Sequence, residues 1–170
     1  LKEQDFNEIF QEELPKEFVK ECQIETDLEI LIPDDYITNI TERLSLYKEL
    51  DSLASEYELV KFKGKLEDRF GHVPAQTLAL LDTIRLRWLA KRIGFEKLIL
   101  RNNRLACYFI SNEDSPYFQS SQFTAILEYI KTHPSNCRLK EDKNRLILII
   151  RETGKVKEAL EALEQIPVVN

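Results

Sequence analysis

The spacing of apolar residues changes once along this chain, at Gly94, and no other feature constrains the fold as tightly. From about residue 35 to Gly94, apolar side chains recur every three or four positions, the period of a helix with one buried stripe. Beyond Gly94 the β-prone runs come in pairs around short polar turns, the pattern of hairpins. Ser55 followed by Glu58 has the form of a capping box and predicts a helix over 56–69 that buries Leu59, Phe62, Leu66 and Phe70. Gly71 stands where a helix C-cap wants a positive φ. Pro74 is suited to open the next helix, which runs to Ile93 with Leu78, Leu81, Ile84, Trp88 and Leu89 inward. Upstream, Asp34 or Asp35 is expected to cap a helix over 35–53 that buries Ile37, Ile40, Leu44, Tyr47 and Leu50.

Residues 24–32 alternate apolar and polar up to Pro33, which predicts a strand. Runs 96–101 and 104–110 flank Asn102-Asn103, a pair that tolerates the positive φ of a tight hairpin turn. Pro116 starts a further helix, with Phe123, Ile126, Leu127 and Ile130 inward. A second hairpin joins 137–140 to 144–151, and its Leu146–Ile150 run reads as an inner strand covered on both faces. A last helix begins at Thr153 or Gly154 and buries Val156, Leu160 and Leu163. Strands do not alternate singly with helices, so the class is α+β. Three helices in the first half are followed by hairpins and helices that form a small, mostly antiparallel or mixed sheet.

Residues 1–23 read as a helical linker from a preceding domain, with Phe6, Ile9, Phe10 and Leu14 at helical spacing, and residues 24–170 as the domain itself. The chain holds no Met and begins at Leu1, which is expected of a piece of a longer protein. No apolar stretch approaches the ~20 residues that span a membrane, and no signal-peptide pattern is present, so the expected setting is the cytoplasm.

Charge is split along the chain. Residues 1–71 carry 19 acids and 9 bases; residues 72–170 carry 11 acids and 15 bases. An acidic first half suits a basic protein surface better than nucleic acid, and no direct nucleic-acid contact is expected for this domain. No phosphate-gripping loop of either Gly-rich type occurs, so no cofactor is expected. Cys22, Cys107 and Cys137 lack the paired spacing of a metal site or disulfide framework, and His72 and His133 read as exposed turn residues. Two alternatives remain open. Asp34 and Asp35 could serve a carboxylate-metal hydrolase, although helix capping explains them as well. Arg85, Arg87, Lys91 and Arg92 beside Trp88 could serve a DNA-binding accessory domain, although they also suit a solvated helix stripe.

A set of ordered motifs carries a resemblance. Ile32-Pro33-Asp34-Asp35-Tyr36-Ile37 is followed by Arg43-Leu44 and Tyr47-Lys48, by Arg69-Phe70-Gly71, and by Pro74. Leu80-Leu81, Arg85-Leu86, Ala90 and Gly94 complete the series. In this order the chain resembles the C-terminal domain of the bacterial transcription-repair coupling factors over about residues 24–166, with the specific motifs confined to 32–94. The resemblance implies a parent that is an ATP-driven DNA translocase. Such a parent displaces stalled RNA polymerase and recruits the excision-repair protein UvrA. It implies that residues 1–23 follow the motor domain. It implies that this domain is regulatory and non-catalytic, docking within the parent onto the repair-factor-binding module and hiding the surface that UvrA recognises. The masking contact implied by the resemblance places an acid just before Arg-Phe-Gly, at Asp68, to meet basic residues of the masked module. Lys65, one turn earlier, stands where relatives can carry an acid, and Glu67 is the neighbouring carboxylate able to supply that charge.

Overall fold

The computed structural model describes residues 17–169. Within them, strand β1 (Gln23–Thr26) precedes three helices, α1 (Ile40–Ser52), α2 (Glu56–Phe70) and α3 (Ala75–Ile93). Hairpin β2 (Phe95–Arg101) and β3 (Arg104–Phe109) follows. A 3₁₀ turn (Pro116–Gln119) then leads into α4 (Ser121–Thr132), hairpin β4 (Cys137–Asp142) and β5 (Arg145–Arg151), and α5 (Val156–Glu164). The sheet order is β1-β2-β3-β5-β4, with β1 parallel to β2 and the other pairs antiparallel. The α+β reading with a mixed sheet holds.

Local chemistry explains most boundaries. Ser55 accepts from Glu58 N–H, and the Glu58 carboxylate accepts in turn from Ala54 N–H at 2.7 Å. Gly71 (φ 85°) and Gly94 (φ 120°) end α2 and α3 in conformations that favour glycine. Asn102 and Asn103 (φ 56° and 57°) and Lys143 and Asn144 (φ 50° and 63°) make the two hairpin turns. Two positive φ values in succession mark the turn type whose twist matches paired strands.

Several expectations need correction. Strand β1 stops at Thr26, not at residue 32. Its partner β2 has only Arg101 left beyond the Thr26–Leu100 pair, and Leu28 N–H turns back to the Thr26 hydroxyl. Helix α1 starts at Ile40 rather than at 35. Asn39 is its cap, accepting from Glu42 N–H at 3.0 Å, while Asp34 and Asp35 lie in a separate turn closed by Tyr36 and Ile37 N–H on the Pro33 carbonyl. Helix α1 keeps the expected Tyr47 and Leu50 on its core side and adds Leu46, but Ile40 and Leu44 face solvent. The element opened by Pro116 breaks at Ser120, whose hydroxyl caps α4 by accepting from Phe123 N–H; Ile126 is buried there but Leu127 is exposed. Helix α5 begins at Val156 rather than at Thr153 or Gly154, and Leu78 of α3 lies at the surface.

Two apolar clusters share helix α3. Its first half places Leu81 and Ile84 against α1, α2, Ile32 and Ile37. Its second half places Leu86, Ala90 and Ile93 against one face of the sheet, together with α4 and α5. Residues 17–22 are not helical, and they insert Val19 and Cys22 into the sheet cluster. Phe6, Ile9, Phe10 and Leu14 lie outside the described residues. Strand β5 is an inner strand, with Leu148 and Ile150 on the helix-covered face and Ile147 and Ile149 on the other. Among the described residues that second face carries no helix, contrary to the expected two-sided cover. Its apolar patch is Ile99, Ala106, Tyr108, Ile147 and Ile149, all from the sheet. No helix of the described residues is long and apolar enough to cross a membrane.

Candidate functional site

Helix α2 brings together the residues singled out before Arg69-Phe70-Gly71. Its buried side is Leu59, Phe62 and Leu66. At 3.6 residues per turn, Tyr57, Gly64 and Asp68 fall within roughly 40° of one another on the opposite side, with Val60 and Lys61 flanking them. Tyr57 is 71% exposed and Val60 54% exposed. A Cβ added at Gly64 would meet nothing within 4 Å, so the helix backbone is bare beside Asp68. Glycine inside a helix costs about 0.5–1 kcal/mol relative to Ala. Asp68 is exposed and has no ion-pair partner among the described residues.

The neighbours of Asp68 are already engaged. Lys65 Nζ lies 2.5 Å from Glu49 Oε2 of α1, and Arg69 pairs with Glu42 of the same helix. These two bridges line a shallow groove of about 430 Å³ between α1 and α2, with Asn39, Thr41, Ser45 and Leu46. Glu67 pairs with Lys63 one turn earlier at 3.7 Å. Of Lys65, Glu67 and Asp68, therefore, Asp68 alone presents an uncommitted charge among the described residues.

The motif residues build the support beneath this surface. Tyr36 donates its hydroxyl to the Gly71 carbonyl at 2.9 Å and meets the Phe70 ring edge-on at 5.9 Å. Burial raises the Tyr36 pKa, and the Glu67 charge adds to the rise. Tyr47 accepts from Ile32 N–H at 2.7 Å, and Arg43 donates to the Ile37 carbonyl at 2.6 Å. Thr77 of α3 donates to the Leu31 carbonyl. The segment before α1 is thus tied to all three helices, which fixes the end of α2 where Asp68 sits. Asp34, Asp35, Leu44 and Lys48 are exposed and take no part in this network. Pro33 supplies the turn carbonyl, and Pro74 occupies the cap position of α3.

Comparison with known proteins gives the family and the likeness of fold. The family model described as the TRCF domain matches residues 26–120. The chain belongs to the TRCF domain family. A transcription-repair-coupling factor of Rickettsia bellii is 30% identical over 132 residues, covering 78% of this chain and 11% of that protein. The one from Escherichia coli is 40% identical over 79 residues, 46% of this chain and 7% of that protein. The chain thus spans about a tenth of the length of the curated relatives it matches. A crystal structure of the C-terminal domain of a transcription-repair coupling factor superposes with a TM-score of 0.66 at 17% identity. That superposition covers 86% of this chain and 93% of the other, and it establishes likeness of fold.

The other candidate groups of this TRCF domain stay apart. Among the described residues no group of three or more His, Cys, Asp or Glu side chains could hold a metal. Asp34 and Asp35 belong to no such group among the described residues. The α3 bases are divided. Arg85 is gripped bidentately by Glu56 at 2.8 Å and also by Asp82, and the Arg85 hydrogen bond holds the Glu56 carboxyl below its ordinary pKa. Lys91 lies 3.9 Å from Glu17, and Trp88 packs against the helical cluster. His133 is half-buried, stacked on Tyr129, rather than free in a turn, whereas His72 is exposed. All three cysteines are free and buried; burial pushes the Cys22 thiol up to about 12. Sequence reading missed Tyr57, Val60 and Gly64 as surface partners of Asp68. The signal was present, since all three fall opposite the Leu59-Phe62-Leu66 seam on a helical projection.

Proposed function

We propose that this TRCF domain is a regulatory, non-catalytic docking module of a transcription-repair coupling factor. The parent is then an ATP-driven DNA translocase of the bacterial cytoplasm that engages RNA polymerase. In this reading the outward side of α2 rests on a basic module of the same parent chain and hides the surface that UvrA recognises. The observation that carries the reading is the uncommitted Asp68 carboxylate, exposed beside the bare backbone at Gly64 and in line with Tyr57. A lone exposed ion pair contributes only ~0.2–1 kcal/mol. Tyr57 and Val60 would supply apolar area of the kind that interface cores use. Masking needs little intrinsic affinity, because a tethered partner competes at high effective concentration.

The test is UvrA capture by the intact parent, by the parent lacking this domain, and by Asp68→Lys and Tyr57→Ala parents, without ATP or DNA. Deletion should increase capture most. Tyr57→Ala and Asp68→Lys should each increase it partly, and the Asp68→Lys effect should shrink at high salt. Far-UV circular dichroism of each variant confirms that α2 remains folded. Unchanged capture after deletion of the domain would reject the masking role.

A further inference from the structure

The sheet face that carries no helix among the described residues sorts charge by strand register. Side chains alternate between faces, and directly paired residues share a face. The registers therefore place Lys97 and Arg101 of β2, Arg104 of β3, Arg145 and Arg151 of β5, and Arg138 and Lys140 of β4 on the face that carries Ile147 and Ile149. By the same rule Glu25 and Asp142 add acids to it, and Glu96 of the β2 bulge brings a third to Arg145. Lys97 pairs with Glu25 at 3.3 Å, and Arg145 pairs with Glu96 of the β2 bulge at 3.6 Å. Arg101, Arg104, Arg138, Lys140 and Arg151 are exposed and have no ion-pair partner among the described residues.

Three of those five stand in a row. Arg101 is directly opposite Arg104, and Arg104 is directly opposite Arg151. Neighbouring strands lie about 4.8 Å apart, so the row spans roughly 10 Å. Like charges directly opposite destabilise a sheet. Glu152, the nearest acid along the chain, makes no ion pair with them among the described residues. Beneath the bases the apolar centre is out of reach: Ile147 is 4% and Ile149 6% exposed. A protein partner needs an apolar, charge-poor interface core. This face offers guanidinium groups instead, and Arg matches phosphate bidentately.

We propose that this sheet face binds the sugar-phosphate backbone of nucleic acid, independently of base sequence. The surface is separate from α2 and does not rest on the docking role proposed above. It revises the expectation of no nucleic-acid contact, which came from net charge and from clustering along the sequence. The bases fall in two stretches of sequence, 97–104 and 138–151, and the registers gather them on one face.

The test is fluorescence anisotropy of a labelled 20-base-pair duplex of mixed sequence, titrated with the 170-residue chain at 50 and 200 mM salt. Each neutralised phosphate contributes about −0.9 to the log–log salt slope, so five contacts predict a slope near −4.5 and roughly 500-fold weakening over this range. Arg104→Gln with Arg151→Gln should bind at least about tenfold more weakly at 50 mM salt. With two phosphates fewer, its salt dependence should fall to roughly 40-fold. Lys155→Gln with Lys157→Gln, the same charge change at the start of α5, should leave binding unaltered. Arg101→Gln with Arg138→Gln repeats the test at other positions, should the first pair unfold the chain. Absence of binding at 50 mM salt would overturn the proposal. Equal loss in the α5 control would overturn it too. So would displacement by poly-glutamate at matched charge, which would assign the face to acidic protein.

Discussion

Gly94→Ala offers the sharpest test of how the two layers of this domain are joined. Gly94 links α3 to β2 at φ 120°, and a Cβ there would lie 2.3 Å from Tyr117 Cε2 and Cζ and 2.4 Å from its hydroxyl oxygen. The ring cannot swing away. It is fully buried, packs against Phe18, Phe109, Phe118 and Phe123, and donates its hydroxyl to the Ile93 carbonyl at 2.8 Å. Backbone strain at such a φ costs about 1–3 kcal/mol, and overpacking adds about 1–3 kcal/mol. Gly71→Ala supplies the reference. Its φ is 85°, but a Cβ there meets nothing within 4 Å, so only the strain of about 1–3 kcal/mol applies. Urea unfolding followed by circular dichroism should show both variants destabilised with unchanged m, and Gly94→Ala further by about 1–3 kcal/mol. Tyr117→Leu removes the three atoms in conflict. In that background Gly94→Ala should cost about what Gly71→Ala costs, giving a coupling of about 1–3 kcal/mol in a double-mutant cycle. Equal costs for the two glycines in the wild-type background, or no coupling to position 117, would refute the steric argument.

Two further outcomes follow from caps and charges. Asn39→Ala should lower stability by about 1 kcal/mol in the same urea assay, whereas Asp34→Ala should stay within about 0.5 kcal/mol, because Asn39 caps α1 and Asp34 does not; equal costs would return the cap to the earlier turn. The Glu56 carboxyl is held below its ordinary pKa by Arg85, so its contribution is present above the unfolded-state carboxyl pKa and is lost as pH falls through the lower folded value. Glu56 is 60% exposed, and screening limits the pair to at most about 1 kcal/mol. Glu56→Gln should therefore lower the melting temperature slightly at pH 7 and leave it unaltered near pH 2, and a larger loss at low pH than at pH 7 would contradict this.

The sequence by itself determined the features whose causes are local. Ser55 and Glu58 cap α2 through bonds a few residues long, Gly71 and Gly94 end helices because their backbones need positive φ, and the paired Asn102-Asn103 turn encodes a hairpin. The ordered motifs from Pro33 to Gly94 were legible for the same reason: they mark turns, caps and the hydrogen-bond network that seats α2. The tertiary structure decided what depends on neighbours distant in sequence. Helix α1 carries two apolar stripes, and only packing against α2 and α3 selects Leu46 and Leu50 over Ile40 and Leu44. Strand β1 ends where β2 runs out of pairing partners, which no local signal reveals. Lys65 is removed from the candidate docking surface by Glu49, sixteen residues away, while Asp68 is left free. The basic face is the extreme case. Its seven bases come from four strands and lie up to 54 positions apart, and strand register alone brings them onto one surface. A linear charge count averages over faces, whereas a sheet separates them.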